Sequence, residues 1–246
     1  MKPRAAIFCL SSDFGCQVQI SNYPELLDML STFELAYWQL VSSGDMPEEY
    51  DVAIIEGAVT TDEQAKFLEA VRDTASCVIA IGACAVTGGI PGLASKHDIE
   101  VQVKEIYGKD ASKIAKGMRR PAPVHEFIDV DFSIPGCPIN PDELSRVLQR
   151  ALRSLVDSPQ RQSMCGDCKI AENNCLWLQG VACLGLIARS GCHAMCVSRG
   201  RACTACRGVA HDANVESAYE FAAGLGCDKK CFDTLIDIYN AAEVAS

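Results

Sequence analysis

The sequence has no excess of positive charge: 22 Lys+Arg face 32 Asp+Glu, a formal net charge of −10. Such an acidic chain does not offer the cationic footprint that nucleic-acid phosphates or an anionic membrane surface require. It has no apolar run of the roughly 18 residues that a membrane helix needs. Its start, Met1-Lys2-Pro3-Arg4, enters a short apolar run without a small-residue cleavage site, so the expectation is a soluble, cytoplasmic protein. The 4 histidines, His97, His125, His193 and His211, show no paired spacing. Nor is this the composition of a disordered chain. With 49% hydrophobic and 22% charged residues among 246, it suits one medium domain and a smaller one.

What is abundant is cysteine, 15 residues in a chain too long to need disulfide staples. Eight of them fall between Cys165 and Cys206, while the first 160 residues carry only Cys9, Cys16, Cys77, Cys84 and Cys137. The chain is therefore expected to divide into residues 1–160 and residues 161–246. In the first part, strand-like and helix-like stretches alternate, the pattern of a parallel sheet covered by helices. Residues 4–10 (RAAIFCL), 51–55 (DVAII), 77–81 (CVIAI) and 127–134 (FIDVDFSI) read as strands. Residues 24–40 have helical spacing at Leu26, Leu27, Leu30 and Leu35. Thr61-Asp62-Glu63 opens a capped helix, and Asn140-Pro141-Asp142-Glu143 opens another running to about residue 155.

Asp13 and Cys16 lie just past the first strand, Cys84 just past the third and Cys137 just past the last. Ligands of open parallel sheets bind outside the carboxyl ends of the strands, so these three loops point at one place. Each of the three cysteines sits beside a glycine, where backbone can approach a bulky group closely. Cys9 and Cys77, inside strands, read instead as small buried hydrophobes.

The second part runs Cys165-x2-Cys168-x6-Cys175-x7-Cys183-x8-Cys192-x3-Cys196-x6-Cys203-x2-Cys206. Eight thiols make two sets of four, enough for two tetrahedral metal ions or two cubane iron–sulfur clusters. Iron is favoured over zinc, and zinc over disulfides, on three grounds. Leu176-Trp177-Leu178 and Leu184-Gly185-Leu186-Ile187 would shield a cluster from water. The CxxC pairs open and close the segment rather than repeating with finger spacing. A zinc knuckle would leave the convergent site of the first part unexplained.

Five ordered motifs then resemble the small, electron-transferring subunit of cytoplasmic multimeric [NiFe] hydrogenases. They are Ser12-Asp13-Phe14-Gly15-Cys16, Ile55-Glu56-Gly57-Ala58-Val59, Gly82-Ala83-Cys84 through Ile90-Pro91, Ile134-Pro135-Gly136-Cys137-Pro138, and the block from Cys165 to Cys206 with Arg207-Gly208 behind it. The resemblance covers residues 5–208. It implies a flavodoxin-like domain followed by a small iron–sulfur domain with C-terminal helices, carrying three [4Fe–4S] clusters. The implied proximal ligands are Asp13, Cys16, Cys84 and Cys137. Asp13 stands where the family normally has Cys, so either its carboxylate ligates one iron or three thiolates hold a cluster with a labile iron. The implied distal set is Cys165, Cys168, Cys175 and Cys183, and the implied medial set is Cys192, Cys196, Cys203 and Cys206.

The resemblance implies two kinds of partner: a large subunit bearing the [NiFe] site, and a flavin/NAD(P) or iron–sulfur diaphorase-type subunit. Two other readings stand beside it. A quinone-reductase-type subunit would have adjacent cysteines in the first motif and no eight-cysteine block; a zinc-binding scaffold would have no redox role. Cys227 and Cys231, in what reads as one helix over residues 216–242, are leftover thiols of a core face or a redox pair. His193 is read as a loop residue before a cluster-tuning one, and Glu56 fits either proton movement or the capping of a loop.

Overall fold

Strands that are apolar throughout belong where both faces of a sheet are covered, and that is how the chain uses them. The computed structural model describes residues 2–41, 43–155 and 162–244. Five parallel strands, β1 (Arg4–Cys9), β2 (Glu34–Trp38), β3 (Val52–Glu56), β5 (Cys77–Ile81) and β7 (Phe132–Ile134), form one sheet in the order β2-β1-β3-β5-β7. This is the flavodoxin-like order, and the chain reverses its direction of winding between β1 and β3. Two further strands, β4 (Val59–Thr61) and β6 (Met118–Ala122), pair antiparallel beside it.

Alternate residues of the strands feed two cores. Ile7, Ile54, Ile79, Ile81 and Ile134 pack with Ile20 of α1 (Gly15–Ser21) and Leu144 and Leu148 of α7 (Pro141–Ala151). Phe8, Ala53, Ile55, Val78 and Ala80 pack on the other face with Leu68 and Val71 of α3 (Asp62–Thr74). Both expected caps are present. The Thr61 hydroxyl accepts from the Gln64 N–H at 3.2 Å and Asn140 Oδ1 from the Asp142 N–H at 3.0 Å. Between these lie α2 (Leu26–Leu30), α4 (Gly82–Thr87), α5 (Ile99–Tyr107) and α6 (Ala111–Ile114).

Five expectations need correction. Residues 34–38 are strand β2 rather than helix: Tyr37 and Trp38 suit a pleated surface, and Trp38 is buried with its Nε1 donating to Gln17 Oε1 at 2.8 Å. The loop expected at Cys16 is the first turn of α1. The last strand starts only at Phe132, and α7 ends at Ala151 rather than near residue 155. The single C-terminal helix is two, α9 (Val215–Gly224) and α10 (Lys229–Val244), separated around Gly226, whose φ of +87° suits glycine.

The expected boundary at residues 160 and 161 lies outside the described residues. Beyond it, α8 (Met164–Ile170), Trp177, Leu184 and Ile187 share a third core with Ala222 of α9 and Phe232 of α10. Among the expected shielding residues Leu178 is 87% exposed, whereas Trp177 is buried. Among the described residues, no helix is long and apolar enough to cross a membrane.

Candidate metal centres

The loops after β1 and β3 are zipped together where the winding reverses. Leu10 N–H donates to Glu56 O at 2.7 Å, and Ser11 and Ala58 exchange backbone hydrogen bonds at 3.1 Å. Glu56, 1% exposed, points its carboxylate at the start of α1. Oε1 accepts from the Cys16 N–H at 2.9 Å and the Ser12 hydroxyl at 3.0 Å, and Oε2 from the Gln17 N–H at 3.3 Å. These are donors that the first turn of a helix leaves free, so Glu56 caps α1 across 40 residues of sequence.

Around this anchor, Cys16, Cys84 and Cys137 lie close enough to perturb one another electrostatically. A Cβ on Gly82 (φ +82°) would sit 2.6 Å from Cys16 Sγ, and Gly136 O accepts from the Ala83 N–H at 2.7 Å. The glycines thus let the three loops close on the sulfurs. Burial, reinforced by Glu56, pushes the Cys16 thiol well above its usual range. Burial and then Cys137 push Cys84 up to about 11. Asp13 is exposed, its Oδ1 accepts from the Gly15 N–H at 3.0 Å, and its charge is felt at both Cys84 and Cys137.

In the cysteine-rich part, Cys192, Cys196, Cys203 and Cys206 line one small cavity of about 20 Å³, together with Met164, Ala188 and Ala194. Cys165 lies within electrostatic reach of Cys183, Cys168 and Cys175. A Cβ on Gly185 would stand 2.6 Å from Met164 Cε and at ordinary contact distance, 3.5 and 3.6 Å, from Cys165 and Cys183 Sγ, so this glycine lets Met164 pack beside the two sulfurs. Cys183 Sγ also accepts the Cys203 N–H at 3.2 Å, which ties the two groups. Among the described residues, no three His, Cys, Asp or Glu side chains converge closely enough to hold a single metal ion. The thiols instead border shared spaces with backbone N–H donors aimed at sulfur, surroundings that suit thiolate-bound clusters.

Several connecting contacts carry no signal in the sequence. Asp167, between Cys165 and Cys168, accepts from the Gly191 N–H at 2.8 Å and the His193 N–H at 3.1 Å; His193 itself is exposed. Arg207, 4% exposed, donates to Ser190 O at 2.7 Å, to Pro135 O at 2.7 Å and to both oxygens of Glu143 at 2.8 Å. It thereby fastens the loop after β7 to the cysteine-rich part. Cys206 also lies within electrostatic reach of Cys137.

Residues after Gly208, which match no motif, return to the first site. Thr87 Oγ1 donates to Tyr239 O at 2.6 Å, Asn240 Nδ2 to Ala205 O at 3.3 Å, and Lys96 pairs with Asp237 at 2.9 Å. The Tyr239 side chain lies within electrostatic reach of Cys137, and burial together with that thiol holds the phenol above its usual range. Cys227 and Cys231 stand with their sulfurs 3.0 Å apart at the start of α10, Cys227 buried and Cys231 exposed.

A family model described as NADH ubiquinone oxidoreductase, 20 Kd subunit, matches residues 14–151. The chain is 31% identical over 219 residues to the sulfhydrogenase 2 subunit delta of Pyrococcus furiosus, which covers 88% of this chain and 91% of that protein. A chain of an NAD+-reducing [NiFe]-hydrogenase, solved in its H2-reduced state, aligns with a TM-score of 0.54 and 28% identity. That alignment covers 65% of this chain and 96% of the other. A chain of the Ni-Fe-Se hydrogenase from Desulfomicrobium baculatum aligns with a TM-score of 0.60 over 90% of this chain and 99% of its own. At 15% identity this likeness is one of fold.

Proposed function

This chain belongs to the family of the NADH ubiquinone oxidoreductase 20 Kd subunit and the small subunits of multimeric [NiFe] hydrogenases, and on that premise we propose that it relays single electrons between two partner subunits. One partner is the large subunit that bears the [NiFe] site and activates hydrogen. The other is a flavin/NAD(P) or iron–sulfur diaphorase-type subunit. The observation that carries the reading is the convergence of thiols from separate elements: Cys16, Cys84 and Cys137 at three strand ends, and four cysteines around one cavity.

Three [4Fe–4S] sites follow. Cys16, Cys84 and Cys137 with Asp13 would hold the proximal one, Cys165, Cys168, Cys175 and Cys183 the distal one, and Cys192, Cys196, Cys203 and Cys206 the medial one. A cluster bound at each would supply one-electron exchange. The protein's own part is to present thiolates and direct N–H groups at sulfur. Holding the Asp13 charge beside Cys84 and Cys137 lets a carboxylate take the corner where the family usually has a fourth thiolate. Oxygen donors differ from sulfur in softness, so the potential of that site differs from an all-thiolate one.

Iron, acid-labile sulfide and zinc measured in anaerobically purified protein test this reading. It expects about 12 irons and about 12 sulfides per chain, four of each per site. About eight irons would mean that the Asp13 site is empty, and zinc without sulfide would overturn the relay. A substitution adds resolution. Gly82→Ala places a methyl against Cys16 Sγ at a positive φ, so about four irons are expected to be lost while the EPR signals of the other two sites persist.

A further inference from the structure

The three proposed sites leave four of the 15 cysteines unused: Cys9, Cys77, Cys227 and Cys231. Cys9 and Cys77 lie in separate strands of the sheet, β1 and β5. Cys227 and Cys231 meet, for the Cys227 thiol donates toward Cys231 Sγ with the two sulfurs 3.0 Å apart. Among the described residues, no third His, Cys, Asp or Glu side chain joins them to make a metal site. The backbone holds both residues without help from the sulfurs. The Cys227 N–H donates to Ala222 O at 3.1 Å, which ties it to the end of α9, and Asp228 Oδ1 accepts from the Cys231 N–H at 2.7 Å at the start of α10. The Phe232 N–H donates to Asp228 O at 2.9 Å and closes the turn.

Access separates the two sulfurs. Cys227 is 8% exposed and shares the third core with Trp177, Ala222 and Phe232, whereas Cys231 is exposed. Thiol–disulfide exchange uses such an asymmetry: an open thiol attacks an external disulfide, and a second thiol behind it resolves the mixed disulfide. A disulfide bond is about 2.05 Å long, so the sulfurs need approach by only about 1 Å to form one. We propose that Cys227 and Cys231 form a thiol–disulfide exchange site that takes a small organic disulfide, R–S–S–R, as its substrate. The Cys231 thiolate attacks one substrate sulfur, the substrate S–S bond breaks, and the first R–S⁻ leaves to take up a proton. The Cys227 sulfur then attacks Cys231 Sγ, the mixed disulfide breaks, and the second R–S⁻ leaves likewise. Two electrons and two protons thus pass from the pair to the substrate, which is reduced to two R–SH while the pair is oxidised to a disulfide. No oxygen, iron or nickel enters the step, and it does not depend on the relay.

Lys229 and Lys230 lie between the two cysteines, so trypsin separates residues 208–229 from residues 231–246 unless a disulfide joins them. The test is anaerobic incubation of the purified full chain with glutathione disulfide, followed by a non-reducing tryptic digest, mass spectrometry and a measurement of metal content. The wild type is expected to give the joined pair of peptides, released by dithiothreitol, with its metal content unchanged. Cys227→Ser is expected to lose the joined pair and to hold glutathione on Cys231, and Cys231→Ser to lose both. Absence of the joined pair from the wild type, or its appearance only as metal is lost, would overturn the assignment. So would Cys227→Ser without glutathione on Cys231, or Cys231→Ser with glutathione on Cys227. Where a variant purifies with less metal than the wild type, alkylation of the wild type decides. Cys231 modified before Cys227 supports the exchange site, and the reverse order or equal rates overturn it.

Discussion

Arg207→Met is expected to lower the stability of the folded chain by about 3–5 kcal/mol, the usual consequence of removing one partner of a buried ion pair. Arg207 and Glu143 have side chains only 5% and 16% exposed. Methionine fills comparable volume, so the loss is one of polar partners rather than packing. It leaves the Glu143 carboxylate without its bidentate cation and removes a donor from both Ser190 O and Pro135 O. Denaturant unfolding of the anaerobic protein reads the effect. The double variant Arg207→Met/Glu143→Met is expected to recover part of the loss, because no buried carboxylate is then stranded. If the single and double variants are equally unstable, the ion pair contributes nothing of its own. The fastening lies next to both Cys206 and the Cys137 loop, so the single variant should also lose iron from the proximal and medial sites before the distal one.

Glu56→Ala is the second large effect, about 3–9 kcal/mol, from two buried backbone N–H groups and a hydroxyl losing a charged acceptor at about 1–3 kcal/mol each. Glu56→Gln keeps one carbonyl acceptor in the same place and is expected to cost about half as much. Unfolding measurements on both variants check the ratio, and equal losses would show that the charge, rather than the acceptor geometry, matters. The same carboxylate is the second contributor, after burial, to the raised thiol of Cys9, pushed up to about 12, and of Cys16. Removing its charge in Glu56→Gln should therefore make Cys9 somewhat more reactive toward alkylation, while burial keeps it slow.

The parts legible in the sequence were those with local causes. DVAII and CVIAI are strands buried on both faces, and Thr61 and Asn140 cap helices through contacts two or three residues away. The glycines beside Cys16, Cys84 and Cys137 marked the loops that converge. What escaped depends on distant partners. Helix α1 is capped from another strand by Glu56, and β2 takes its form from pairing with β1, so its leucine spacing misleads. Tyr239, Asp167 and the Arg207–Glu143 pair look like ordinary surface residues until the fold brings them to sulfur-bearing loops.

The return of α10 to the first site also bears on how the chain is made. Cys137 and Tyr239 are separated by 102 positions (239 − 137), and a ribosome adding about 5–20 residues per second needs roughly 5–20 s to pass from one to the other. Throughout that interval the flavodoxin-like half can fold while Gly88 still lacks its cover of Ala242 and Cys137 its tyrosine. The Gly88 end of α4 is consequently bare during synthesis and covered only once α10 has been made.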